Sequence, residues 1–90
     1  MTKSLSQQLV EYFQYEMNQR QAAYDLEMCQ PSPNYVRINE ARYEIGSYMQ
    51  LIMQVEKLNG RMNLLDFNFI QDDARSLYGV PFDFYNWKLK

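Results

Sequence analysis

Apolar residues recur every seven positions along one stretch of the chain, between Ile38 and Met62. Two interleaved series make up the repeat, offset by three positions: Ile38, Ile45 and Ile52, and Ala41, Tyr48, Val55 and Met62. This a/d heptad pattern is typical of a helix that packs along another helix at a shallow angle. The sequence therefore predicts a long helix with a helical partner.

The partner helix is expected just upstream, because a proline-containing loop separates two helical segments. We predict the first helix over residues 4–30 and the second over residues 33–59. Ser32 is the expected cap of the second helix, with Pro33 at its first position, where a missing N–H costs nothing. So short a connection makes the two helices antiparallel neighbours.

A third, shorter helix is predicted over residues 66–78, with Asp66 or Asn68 as its cap. Its apolar face has the three-four-three spacing of Phe67, Ile70, Ala74 and Leu77. The predicted fold class is therefore all-α: a long antiparallel helical hairpin, a third short helix and an aromatic C-terminal tail over residues 79–90. Ninety residues make a single domain.

The aromatic tail has two open interpretations, as an extended strand or docked tail that completes the core, or as a recognition segment for another protein. In the second interpretation its large aromatic side chains anchor the partner, since Trp and Tyr are frequent hot-spot residues. The candidate partner-binding residues are Phe82, Phe84, Tyr85 and Trp87.

The second half of the second helix is apolar over more than one face. A two-helix hairpin buries only one face of each helix, so a third element or another subunit must cover the rest. The candidate self-association residues are Ile45, Tyr48, Met49, Ile52 and Met53. Gly46 lies inside this helix at a cost of about 1 kcal/mol relative to Ala, which predicts the close approach of another backbone. We expect a homo-oligomer.

Catalytic and ligand-binding motifs are not found in the sequence. The chain has no histidine, and its single cysteine, Cys29, is expected at the C-terminal end of the first helix, where the helix dipole disfavours a thiolate. Asp66, Asp72 and Asp73 lack the spacing of a calcium loop, and the glycines form no phosphate-binding loop. We therefore predict a non-enzymatic protein with no cofactor, no metal and no small-molecule substrate.

The charge balance and hydropathy limit the possible partners and the location. A net charge of −2 argues against a non-specific nucleic-acid binder, which normally has a basic face. The sequence has no apolar run of 18 residues, so we predict no membrane span, and we recognise no signal peptide. A single cysteine fits a reducing compartment. The expected partner is a protein, and the expected location is the cytoplasm.

The first half of the chain resembles the small terminase subunit of short-tailed bacteriophages of the T7 type. The matching residues lie between positions 11 and 39, and they are the run Met17-Asn18-Gln19-Arg20, then Ala23, then Ser32-Pro33 and Ile38-Asn39. The resemblance implies a ring-forming, non-enzymatic DNA-packaging protein that regulates a motor subunit with ATPase and nuclease activity. It implies Arg20, Arg37 and Arg42 as phosphate contacts and a location in the host cytoplasm.

A second function fits the same small, motif-free chain: a viral inhibitor that binds and blocks a host enzyme or complex, such as one of a defence system. Stoichiometry separates the two functions, because a terminase subunit forms a ring whereas an inhibitor is more often a monomer or dimer. Salt-sensitive DNA binding favours packaging, and its absence favours inhibition.

Overall fold

The structure is a computed structural model that describes residues 3–88. Two long helices form an antiparallel hairpin, α1 over Leu5–Met28 and α2 over Tyr35–Glu56. Helix α3 spans Leu64–Asp72 and continues into a π-helical turn over Asp73–Leu77, and α4 spans Phe84–Lys88. No strand occurs between residues 3 and 88, so the predicted all-α hairpin with a third short helix is confirmed.

Helix α2 has a different cap from the one expected at Ser32. The cap is Asn34, whose Oδ1 accepts hydrogen bonds from the backbone N–H groups of Val36 at 3.0 Å and Arg37 at 3.4 Å. Across the loop, Glu27 Oε1 accepts the Asn34 N–H at 2.7 Å. Asn and Ser cap helices about equally well, and this contact from α1 explains why the helix begins after Asn34.

Helix α3 begins earlier than the sequence predicts. Its cap is Asn63, whose Oδ1 accepts the Asp66 N–H at 2.8 Å, while Asp66 Oδ2 accepts the Asn63 N–H at 3.3 Å. This reciprocal pair is a capping box in which Asp66 is the third helical residue rather than the cap. Asn68 lies within the helix, so neither predicted cap is the observed one.

The π-helical turn changes which side chains of the third helical segment face the core. Phe67, Ile70 and Ala74 are buried as the spacing predicts, but Leu77 is exposed. A π turn closes hydrogen bonds five residues apart and so holds more residues per turn than an α-helix. Leu77 therefore rotates away from the face that an α-helical spacing gives it.

Gly79 redirects the chain after the π-helical turn. Its φ of +66° lies in the left-handed region that favours glycine. The next residue, Val80, donates its N–H to the Ala74 carbonyl at 2.9 Å. This bond joins residues six apart, one more than in the Schellman ending of an α-helix, in keeping with the wider π-helical turn before it. The following residues are thereby sent back across the helical hairpin.

The core begins with the heptad stripe of α2, which faces α1. Leu9, Tyr12 and Phe13 of α1 are fully buried in the same cluster. Burying one large apolar side chain contributes about 1.5–3 kcal/mol, so this seam is the main stabilising contact between the two helices. The buried stripe residues are Ile38, Ala41, Tyr48, Ile52 and Val55.

Residues 79–88, here called the C-terminal segment, complete this core. Phe82 and Phe84 are buried, with ring centroids 5.6 and 5.8 Å from that of Tyr12. The Trp87 ring also lies 5.6 Å from Tyr12. The segment packs across its own helices because they leave an apolar face that the hairpin alone cannot cover. Its last part is helix α4 rather than an extended strand.

Three tyrosine hydroxyls fix the backbone of the chain around the start of this segment. The contacts are Tyr43 Oη donating to the Tyr78 carbonyl at 2.8 Å, Tyr48 Oη donating to the Pro81 carbonyl at 2.9 Å, and the Asp83 N–H donating to Tyr12 Oη at 2.6 Å. The hydroxyls satisfy backbone groups that have no helical partner, and leaving such groups unpaired in a core would cost about 1–3 kcal/mol each.

The substitution Phe84→Ala tests whether the C-terminal segment is core. Removing this ring, which is 1% exposed, should cost about 3–5 kcal/mol of unfolding free energy. That is a large fraction of what a small domain has. The neighbouring Tyr85→Ala, at an exposed position, is the matched control and should cost much less. Urea unfolding followed by circular dichroism measures both. Equal, small effects would contradict this packing.

Candidate protein-interaction surfaces

The four aromatic residues predicted to anchor a partner do not form one exposed set. Phe82 and Phe84 belong to the core, which corrects the prediction that they contact a partner. Trp87 is half-buried, with its ring 5.6 Å from Tyr12 and 6.2 Å from Phe84. Only Tyr85 presents most of its side chain to solvent. The C-terminal segment therefore offers a single exposed ring.

The five residues predicted for self-association divide between the core and the surface. Tyr48 and Ile52 face α1 and are buried within one chain, so they are unavailable to a second copy. The heptad stripe of α2 packs against α1 of the same chain, and this is why these two residues are buried without a second copy. Ile45 is half-buried, whereas Met49 and Met53 are 51% and 50% exposed on another side of α2.

Arg20 is enclosed by its own chain. Its guanidinium bonds the carboxylates of Glu16 at 2.6 Å and Glu44 at 2.9 Å, and it lies over the ring of Tyr48. Burial alone would lower the pKa of Arg20, but the Glu44 hydrogen bond and neighbouring negative groups raise it above its ordinary value. This charge joins α1 to α2 and is not free to contact phosphate.

The other two candidate phosphate contacts, Arg37 and Arg42, are exposed on α2. Neither forms a salt bridge with any other residue in the described chain. They are five residues apart, which places them about 140° apart around the helix axis. Arg20 and Arg37 line one surface depression together with Glu40 and Glu44, whereas Arg42 lies on another side of α2, so the three predicted arginines do not form one basic patch.

Helix α3 carries an exposed apolar surface that the sequence analysis did not single out. With Phe67 and Ile70 turned inward, Leu64, Leu65 and Phe69 point outward and are 76%, 62% and 60% exposed. We call these three residues the α3 outer surface. The feature of the sequence that could have indicated this surface is that α3 has more large apolar residues than its buried side, Phe67 and Ile70, can use. Leu65 and Phe69, four residues apart, lie on one side of the helix, whereas Leu64 lies at its first position, about 140° around the axis from Phe69. Exposed large apolar side chains of this kind are typical of an interaction site.

The described residues hold no arrangement for metal binding or cysteine chemistry. Among residues 3–88, no three potential metal-ligating side chains cluster. Cys29 is exposed at the end of α1. Asp73 accepts a hydrogen bond from Gln54 Nε2 at 2.9 Å and so joins the π-helical turn to α2. No helix of this part of the chain is both long and apolar enough to cross a membrane.

Two buried tyrosines have perturbed ionisation. Burial raises the pKa of Tyr12 to about 12, against the opposing effect of the Asp83 hydrogen bond. Burial likewise raises the pKa of Tyr48 well above its usual range, although nearby Arg20 opposes the shift. Both hydroxyls form hydrogen bonds with the C-terminal segment. The packing of this segment therefore depends on these two tyrosines keeping their protons.

Comparison with known proteins gives no relative for this chain. No protein family matches it, and neither a curated protein nor a solved structure is significantly similar to it. The arrangement of its surfaces is therefore the basis for inferring function.

The substitution Arg20→Ala separates a structural role from a role in phosphate binding. We expect it to cost about 1–3 kcal/mol of unfolding free energy, because it leaves Glu16 and Glu44 without their cation. Arg37→Ala is the control and should change stability by no more than about 0.5 kcal/mol. Urea denaturation of both variants gives the comparison. Equal stability of the two would contradict the structural role of Arg20.

The raised tyrosine pKa values predict a loss of stability in alkali. Tyr12 holds its proton more tightly in the folded chain, so its contribution is complete below pH 10.0 and is lost as the pH rises towards 12. In a spectrophotometric titration, some of the eight tyrosines should ionise only together with the loss of helicity. Tyr12→Phe should make the alkaline loss shallower. Ionisation of all tyrosines with helicity intact would contradict this account.

Proposed function

We propose that this chain is a non-enzymatic protein-binding and assembly protein. The observation that carries the proposal is the α3 outer surface, where Leu64, Leu65 and Phe69 remain largely exposed while Phe67 and Ile70 of the same helix are packed in the core. Keeping three large apolar side chains in water is unfavourable, and a partner that covers them would gain the burial energy.

The binding mode that suits this surface is a helix face seated in an apolar groove. Leu65 and Phe69 are four residues apart, so they lie on one side of α3, as the anchors of helix-in-groove complexes do. Asp72, three residues further along, adds a negative charge to the same side. With the net charge of −2, this favours a partner whose groove has a basic rim.

We further propose a phage-encoded origin and action in the host cytoplasm. The resemblance of residues 11–39 to small terminase subunits supports a role in DNA packaging, with the partner being the motor subunit. The alternative is a viral inhibitor that binds and blocks a host enzyme or complex. The enclosure of Arg20 by two carboxylates favours the alternative, because it removes one of three candidate phosphate contacts.

The double substitution Leu65→Ser and Phe69→Ser tests the proposed binding surface. Both residues are exposed, so the fold should survive, while affinity for the partner should fall by about three orders of magnitude if they are anchors worth about 2 kcal/mol each. The matched control replaces exposed Leu26 and Met28 on α1 by Ser. Affinity capture from host lysate, followed by titration of the captured protein, measures the difference.

Equal capture by the wild type, the α3 variant and the control would overturn the α3 outer surface as the binding site. Duplex DNA titrations at several salt concentrations decide between a role in DNA packaging and a role as an inhibitor. Salt-dependent binding that Arg37→Ala and Arg42→Ala weaken supports packaging. Absence of DNA binding, together with capture of a host enzyme whose activity falls, supports inhibition.

A further inference from the structure

Gly46 has no explanation within a single chain. It lies in the interior of α2, where glycine costs about 1 kcal/mol relative to alanine. A Cβ atom added there would meet nothing within 4 Å, so no neighbouring backbone or side chain requires the glycine. The close approach predicted from the sequence is therefore not made inside the hairpin, and the space above Gly46 is open.

The open space above Gly46 is part of a surface groove between α1 and α2. The groove has a volume of about 360 Å³, and Tyr24 of α1 and Ile45 and Met49 of α2 contribute to its lining. Met53 lies seven residues beyond Gly46, two helical turns along the same side of α2, and is half exposed. Helix α2 thus has a groove at Gly46 and, two turns further along the same side, the flexible apolar side chain of Met53.

The adjoining edge of α1 is apolar along the same side. Val10, Met17 and Tyr24 are spaced seven residues apart and are half-buried. Tyr24 lines the groove with Gly46, and Val10 lines a second depression together with Glu56 of α2. The second depression is otherwise lined mostly by polar residues, so the apolar part of the surface is the groove at Gly46 and the α1 residues beside it.

We propose that a second copy of this chain packs on this surface, with the two α2 helices antiparallel about a two-fold axis near Met49. In this arrangement Met53 of each chain enters the groove at Gly46 of the other, as a knob enters a hole. Two hairpins joined in this way form a four-helix bundle. The inference deepens the assembly part of the proposed function and rests on it.

Charge complementarity supports the second copy as the occupant. Arg42 and Glu56 lie at the two ends of the same stripe of α2, and the midpoint between them is Met49. A two-fold axis there brings Arg42 of each chain opposite Glu56 of the other. The same axis places Gly46 of each chain opposite position 52 of the other, which is next to Met53. Self-complementarity of this kind is what an isologous dimer requires. Within residues 3–88, neither Arg42 nor Glu56 is engaged in a salt bridge.

The first test is the substitution Gly46→Leu, read by light scattering and sedimentation. The wild type should have twice the chain mass of 10.9 kDa, and Gly46→Leu should have the mass of one chain with helicity and thermal stability retained or raised. Glu40→Leu, which adds the same side chain on another side of α2, should remain dimeric. A monomeric wild type, a larger ring, or a dimeric Gly46→Leu variant would overturn the proposal.

The second test is a charge exchange that fixes the register. Arg42→Glu or Glu56→Lys should each weaken dimerisation about tenfold at low salt, because every substitution acts twice in a symmetric dimer. The double variant should recover most of the wild-type affinity. Failure of the double variant to recover would contradict the register.

Loss of the dimer and loss of partner binding are distinguishable. The monomeric Gly46→Leu variant retains the α3 outer surface, so its capture of a partner tests the proposed function independently. A wild-type protein that is monomeric and binds a partner through α3 would contradict only the dimer, whereas a wild-type dimer with no α3-dependent partner would contradict only the α3 surface.

Discussion

The packing around the Tyr12 ring is the contact on which the rest of the structure depends. This ring lies within 5.6–5.8 Å of the rings of Phe82, Phe84 and Trp87, so a single residue of α1 contacts three aromatic side chains of the C-terminal segment. Its hydroxyl accepts the Asp83 N–H in the same place. Aromatic packing supplies the burial, and the hydrogen bond fixes the position of the segment. The hairpin, α3 and the C-terminal segment therefore share one core.

This shared core determines which surfaces are left for binding. The C-terminal segment covers part of the apolar face of the hairpin, so its aromatic side chains pack against the chain's own core. Tyr85 is the exception and is largely exposed. Exposed apolar side chains remain on the outside of α3, on the side of α2 that carries Gly46, and at the loop end of the hairpin, where Leu26, Tyr35 and Val36 are largely exposed. The α3 outer surface and the Gly46 side of α2 lie on different helices, so the two proposed contacts do not compete for the same residues. The enclosed Arg20 joins the two helices of the hairpin through its ion pairs with Glu16 and Glu44.

The seven-residue repeat was enough to predict the hairpin, because its period determines both the helices and the side that packs. It could not show whether the partner helix belongs to the same chain, and Tyr48 and Ile52 were therefore assigned to self-association, whereas α1 covers them. The cap at Asn34 depends on a contact from Glu27, which lies on the other helix. The π-helical turn and the role of the C-terminal segment depend on tertiary packing. The α3 outer surface became visible only when the buried side of α3 was known.

Amide hydrogen exchange across the C-terminal segment tests the central claim, that this segment and the hairpin are one cooperative core. The account predicts that the amides of Val80 and Asp83, which donate to Ala74 and Tyr12, open with the same free energy as the buried amides of α2. It also predicts that the segment loses protection only on global unfolding. Exchange of these two amides near the rate of an unstructured peptide, while α1 and α2 stay protected, would contradict the claim and return the segment to the role of a recognition element.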